Sequence, residues 1–172
     1  MLKHFVFVLS LIFSNIVLAT PKIAVLNFEL DDMTQLPNTS AELARTSSFK
    51  PLLEQELQAM NYQIVQVDTQ AQKQANAGVE YLFQHDDSSA ELGQKYGADW
   101  IIVAKHRKPS FLYSHLLVHV IPVSTQQSLN QLLVELKGTD KKVTEKSIHF
   151  LAEKIQTLIT DQHRYYSRST IK

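Results

Sequence analysis

Two periods of apolar and polar positions run along this chain, and the switches between them outline its elements. Ile23-Ala24-Val25-Leu26-Asn27-Phe28 is a short apolar run that predicts a buried strand. Leu30 to Ser40 is polar and carries Asp31-Asp32 and Pro37-Asn38, which predicts a loop. Leu43, Phe49, Leu52, Leu53, Leu57 and Met60 then recur at broadly helical spacing. Pro51 lacks an amide hydrogen and crowds the preceding turn. It implies either a helix starting near Ser48, with Pro51 in its first turn, or a bend at that point.

Asn61 to Asp68, with Tyr62, Ile64, Val65 and Val67, suits a second strand. Thr69 to His85 is rich in Gln and Ala and reads as an exposed helix or a poorly packed connection. Ser88 with Glu91 matches a capping box opening a helix that carries Leu92 and Tyr96 and stops at Gly97. Asp99 to His106 is the third strand, and Lys108-Pro109-Ser110 turns the chain into Phe111 to Val123. There Leu112, Leu116, Val118 and Val120 share one face. Phe111, Tyr113, His115, Leu117, His119 and Ile121 share the other, a mixed face expected to be partly covered. Thr125-Gln126-Gln127 turns into a strand over Leu129 to Lys137, and a helix opens near Thr139 or Asp140. Its apolar stripe is Val143, Ser147, Ile148, Leu151, Ile155 and Leu158.

The order is strand, helix, strand, helix, three strands in a meander, then a closing helix. It predicts a single α/β (α+β) domain with a mixed five-stranded sheet and helices packed on it, over residues 20–160. Residues 161–172 read as a polar, frayed tail.

The leader changes the meaning of the composition. Lys3 and His4 precede an apolar run from Phe5 to Leu18, and Val17-Leu18-Ala19 places small residues where a signal peptidase cuts. Residues 1–19 are therefore expected to be a cleavable signal peptide, with the break after Ala19, because the run is short for a membrane anchor and contains Asn15. Cleavage removes one of 17 bases, Lys3, and none of 17 acids, so the exported chain carries one net negative charge. That balance argues against nucleic acid as a partner. With no cysteine, the chain has no disulfide, no thiolate metal site, no thiol nucleophile and no lipidation site at the cleavage point. The expected product resides in the periplasm or is secreted, with no transmembrane anchor after cleavage.

Candidate chemistry is sparse. Of 7 histidines, His4 lies in the leader. His115 and His119 would share one face of a helix, but in a strand four residues span roughly 13 Å, too far to share an ion bonded at about 2 Å. In the expected hairpin His106 lies near Phe111, remote from both, so no metal site is predicted. No cofactor is predicted either, since no Walker loop, dinucleotide fingerprint, nucleophile elbow or zinc-helix motif occurs. Asp31 and Asp32 follow the first strand, where open α/β sheets often place ligand groups, although a solvated loop is the favoured reading. Lys105, His106, Arg107 and Lys108 form the dense basic cluster, expected at an exposed hairpin tip that could meet an anionic partner.

The motif order also resembles known families. Lys22-Ile-Ala-Val-Leu-Asn-Phe28, Tyr62-Gln-Ile-Val-Gln-Val-Asp68, Leu92-Gly-Gln-Lys-Tyr-Gly-Ala-Asp-Trp100 and Leu136-Lys-Gly-Thr-Asp140 resemble a family of small secreted proteobacterial proteins. More distantly they are similar to the amino-terminal domain of TolB and to the curli-secretion protein CsgG. Asn27 departs from the Asp more usual before the Phe. The aromatic residue often found shortly after Asp140 is absent. The resemblance implies an envelope α/β domain and carries over no catalytic residue.

Two functions remain. The first is a non-enzymatic periplasmic accessory domain that meets an envelope protein through a sheet edge or the tip at 105–108. The second is a small-ligand-binding protein with a pocket near Asp31, Asp32 and the face bearing His115.

Overall fold

The computed structural model describes residues 20–34, 36–110 and 113–169; residues 1–19, where the signal peptide is expected, and Phe111 and Leu112 lie outside them. The elements are β1 (Lys22–Val25), β2 (Glu29–Asp32), α1 (Ser40–Ala59), β3 (Gln63–Val65), α2 (Thr69–Ala75), α3 (Tyr81–Gln84), α4 (Asp86–Lys95), β4 (Trp100–Lys108), β5 (Ser114–Pro122), β6 (Leu132–Leu136) and α5 (Lys141–Ser169). The fold is the expected single α/β domain with a mixed sheet, but the sheet has six strands. Along β3-β1-β4-β5-β6, the first three strands run parallel and the last three antiparallel.

The sixth strand corrects the expected loop at 30–40. Glu29, Leu30, Asp31 and Asp32 of β2 pair in parallel with Lys105, His106, Arg107 and Lys108 of β4. Three acids thus face three bases, register by register, which is why a segment too polar for a core still forms a strand. β1 pairs with the first part of the same strand, Ile23↔Trp100 to Val25↔Ile102. Between the two ladders Leu26-Asn27-Phe28 stands opposite only Val103-Ala104, which is one extra residue and therefore a bulge.

The bulge frees backbone groups, and Gln72 of α2 takes them up. Its Oε1 accepts from the Asn27 amide at 2.8 Å and from Asn27 Nδ2 at 3.0 Å, while its Nε2 donates to the Asn27 carbonyl at 3.0 Å. An Asp at position 27 could not donate to Gln72 Oε1, which accounts physically for the Asn. The bulge also inverts the alternation, so Phe28 joins Ile23 and Val25 on one face of the sheet.

That face is covered by α1 and α5, whose Phe49, Leu53, Leu57, Ile148, Leu151 and Ile155 meet Trp100, Ile102, Val118 and Val120. The opposite face is covered by α2 to α4 over Ala24, Leu26, Ile101, Val103, Leu117 and Ile121. Both faces are therefore apolar, and the face carrying Leu117 and Ile121 is better covered than expected. The segment 69–85 is not a loose connection either, since Leu82 and Phe83 are buried.

Local details differ for identifiable reasons. α1 runs through Pro51 without ending, with Ser47 and Ser48 hydroxyls bonded back to the Leu43 and Arg45 carbonyls. α4 starts two residues before Ser88, with Asp86 and Asp87 in its first turn, so the Ser88–Glu91 capping box does not form. Gly93 lets α4 approach the sheet closely: a Cβ there would lie 2.9 Å from Cγ2 of Val123, just past β5, and 3.2 Å from Cβ of Ile101 in β4. Gly97 takes a φ of +73° as expected for a left-handed cap. α5 continues beyond Asp161 to Ser169, where a frayed tail was expected. No helix among the described residues is long and apolar enough to cross a membrane.

Candidate functional site

The basic cluster is not a hairpin tip. Lys105 to Lys108 form the carboxy-terminal half of β4, and the turn follows them. Alternation sends Lys105 and Arg107 to the face of α2–α4, and His106 and Lys108 to the face of α1 and α5. Asp31 and Asp32 divide in the same way, so the sheet itself separates Asp31 and His115 from Asp32. The pocket expected between these three residues does not exist as a single space.

On the α1 face, Asp32 accepts from the Thr34 amide at 2.8 Å and from its hydroxyl at 2.6 Å. Lys108 Nζ bonds Asp32 Oδ2 at 3.1 Å and also Glu42 Oε2. Burial pushes the Asp32 pKa up, but the two Thr34 hydrogen bonds and Lys108 outweigh it and leave it below 3.8. Burial likewise pulls Lys108 down, and Glu42 and Asp32 return it above 10.5.

His106 is fully buried beside this trio. Its Nδ1 lies 2.8 Å from Thr46 Oγ1, and its Nε2 lies 2.8 Å from Ser114 Oγ. Thr46 donates its own hydroxyl to the Glu42 carbonyl at 3.1 Å. The network therefore assigns the proton to Nδ1, leaving Nε2 to accept from Ser114. Burial, then the positive fields of Arg45 and Lys108, push the pKa down to about 4. A serine on a histidine nitrogen has the outline of a nucleophile and its base. This histidine is a weak base with no solvent access, and its other partner is a neutral hydroxyl. The chain Thr46–His106–Ser114 is a hydrogen-bonded strut linking α1, β4 and β5.

On the other face, Lys105 is buried, with Nζ 2.5 Å from Glu80 Oε2, 4.0 Å from Asp31 Oδ2 and 4.7 Å from the Phe83 ring centroid. Glu29 accepts from Asn76 Nδ2 at 2.6 Å and from the Glu80 amide at 3.0 Å, which holds the loop between α2 and α3 with Glu80 at a φ of +60°. Asp31, Arg107, His115 and Glu135 form one row across β2, β4, β5 and β6. Arg107 Nε lies 3.4 Å from Asp31 Oδ2 and donates to Met33 Sδ at 3.3 Å. His115 sits 5.5 Å from the Tyr113 ring, and its buried Nδ1 has no hydrogen-bond partner among the described residues. Met33, Tyr113 and Leu133 are about half exposed around the row, at 50%, 48% and 52%.

Sequence reasoning missed Glu42, Arg45, Thr46, Glu80 and Ser114. Two signals were available: His106 and Ser114 both fall at inward positions of otherwise apolar alternations, where a polar side chain needs a buried partner.

Fold and site together define a two-faced α/β domain with a mixed sheet whose upper end is polar on both sides. Residues 21–155 match the family DUF3280, described as a protein of unknown function (DUF2380), and the chain belongs to that family. No curated protein matches the chain. Among solved structures, PelC from Paraburkholderia phytofirmans, determined as a dodecamer, is similar with a TM-score of 0.51 at 12% identity, covering 80% of this chain and 88% of PelC. TolB from Acinetobacter baumannii is similar with a TM-score of 0.50 at 16% identity, over 83% of this chain but only 29% of TolB. The LpoB C-terminal domain from Salmonella enterica follows with a TM-score of 0.48 at 10% identity, covering 72% of this chain and 87% of that domain. The PelC and TolB likenesses establish the fold, in keeping with the TolB resemblance read from the sequence.

Proposed function

We propose that this chain is a non-enzymatic accessory domain, exported by cleavage after Ala19 to the periplasm or beyond, that docks a protein partner on the upper end of its α2–α4 face. The observation that carries the reading is the partly exposed row Asp31–Arg107–His115–Glu135, flanked by half-exposed Met33, Tyr113 and Leu133. Aromatic and apolar side chains around an arginine are the composition of interface centres. The remaining candidates support the fold: Asp32, Lys105, His106 and Lys108 are occupied by Thr34, Glu42, Glu80, Thr46 and Ser114.

The test is chemical crosslinking in the native envelope followed by purification of wild type and of a Leu133→Asp, Tyr113→Ser double variant. Wild type is expected to recover a defined complex that the variant loses while keeping its circular dichroism. Equal recovery from both counts against the surface. PelC is seen as a dodecamer, so the adduct's mass also separates a second copy of this chain from another protein.

A further inference from the structure

A second site lies on the opposite side of the sheet and is independent of the docking surface. Between the first half of α1 and the start of α5 runs a groove of about 430 Å³. Ala41, Pro51 and Leu52 supply apolar walls, Arg45 supplies positive charge beside Lys141, which is paired with Glu145 at 3.5 Å, and none of the described lining residues is a carboxylate. Arg45 donates from Nε to Thr144 Oγ1 at 3.0 Å and from Nη2 to the Gly138 carbonyl at 2.8 Å. A guanidinium has five N–H donors, so these bonds leave three without a partner among the described residues. Among the described residues no carboxylate forms an ion pair with it, although it is half-buried and feels the negative charge of Glu42 and Asp140. A cation in that state gains more from an anion than an exposed one does, because less water competes. A second cavity of about 430 Å³, whose lining includes Glu42 and Lys108, shares Ala41, Arg45 and Thr139 with the groove.

We propose that the groove binds a free amphipathic anion, with a carboxylate or phosphate monoester head on Arg45 and an apolar chain along Pro51 and Leu52. The volume is within the range of small-molecule sites. The fork of Arg45 matches a two-oxygen head, whereas a quaternary ammonium head offers it no acceptor and would face the like charge of Arg45.

Isothermal titration of the exported chain with decanoate, decyl phosphate and decyltrimethylammonium, each below its micelle concentration, tests this. Decanoate and decyl phosphate are expected to saturate one site, with the ammonium at least about tenfold weaker. Arg45→Gln is expected to weaken both anions about tenfold or more, and Arg45→Lys to fall between, since it keeps charge but loses the fork. Leu52→Glu is expected to abolish decanoate binding while leaving Arg45 in place, so it decides the matter if Arg45→Gln does not fold. Equal binding of the ammonium, no saturable binding of either anion, or binding only to vesicles of anionic lipid overturns the proposal. So does anion binding that survives both Arg45→Gln and Leu52→Glu.

Discussion

His106 shows how one buried polar residue sets a pH response. Its pKa is about 4 in the fold against an ordinary 6.5. The unfolded chain therefore takes up the proton more readily than the folded one. The contribution is complete above pH 6.5, declines as pH falls from 6.5 towards 4, and is gone below that, a span corresponding to about 3 kcal/mol. His149 acts in the opposite sense: Glu56 raises its pKa, so its contribution is present below 6.5 and is lost as pH rises. Being exposed, it is a minor opposing effect. Urea unfolding at pH 7 and pH 4.5 should show wild type losing most of the His106 contribution. His106→Gln should start less stable and lose less between the two pH values. Parallel losses in both proteins would contradict the strut.

At the scale of elements, the joint between β1, β2 and α2 depends on one amide. Gln72→Ala strands the Asn27 amide and carbonyl in the bulge, and two such losses cost about 2–4 kcal/mol. The neighbouring Gln74→Ala, on the exposed side of α2, should stay within about 0.5 kcal/mol of wild type. Denaturant midpoints measure both, and similar values for the two variants would deny Gln72 its role. Elements that follow from periodicity were legible: β4, β5 and β6 with their inward Val118, Val120, Val134 and Leu136, and the stripe of α5 through Ile148, Leu151 and Ile155. β2 was not, because Glu29, Asp31 and Asp32 are explained only by the bases opposite them some 76 residues later in the chain. The two charge runs, Glu-Leu-Asp-Asp and Lys-His-Arg-Lys, were each visible, and their complementarity was the signal that local reasoning passes over. The Ser88–Glu91 cap failed for a related reason, since Asp86 is engaged by the Ser128 amide at 2.8 Å and His119 at 3.3 Å and draws the helix start forward.

For the whole molecule, the sheet divides the candidate residues between two sides with different work. The side under α1 and α5 holds the Asp32–Lys108–Glu42 trio, the His106 strut and the Arg45 groove. The other side buries Lys105 under α3 and carries the partly exposed row Asp31–Arg107–His115–Glu135 at its upper end. The motif Gly97-Ala98-Asp99-Trp100, which suggested the family resemblance, belongs to the far end. Asp99 Oδ2 accepts from the Lys22 amide at 2.8 Å, its own amide donates to the Lys22 carbonyl at 2.8 Å, and its carbonyl accepts from the Val123 amide at 2.9 Å. The resemblance therefore marks the part that closes the sheet, and the proposed docking surface lies at the other end, where only the three-dimensional row brings Asp31, Arg107, His115 and Glu135 together.

Site-specific photocrosslinking in the native envelope tests the docking surface most directly. A photoreactive side chain placed in turn at Leu133, at Tyr113 and at exposed Glu91 on α4 should give one protein adduct from the first two positions and none from the third. The adduct should fade when Arg107→Glu is added. Silence at Leu133 and Tyr113, or the same adduct from Glu91, would contradict the account.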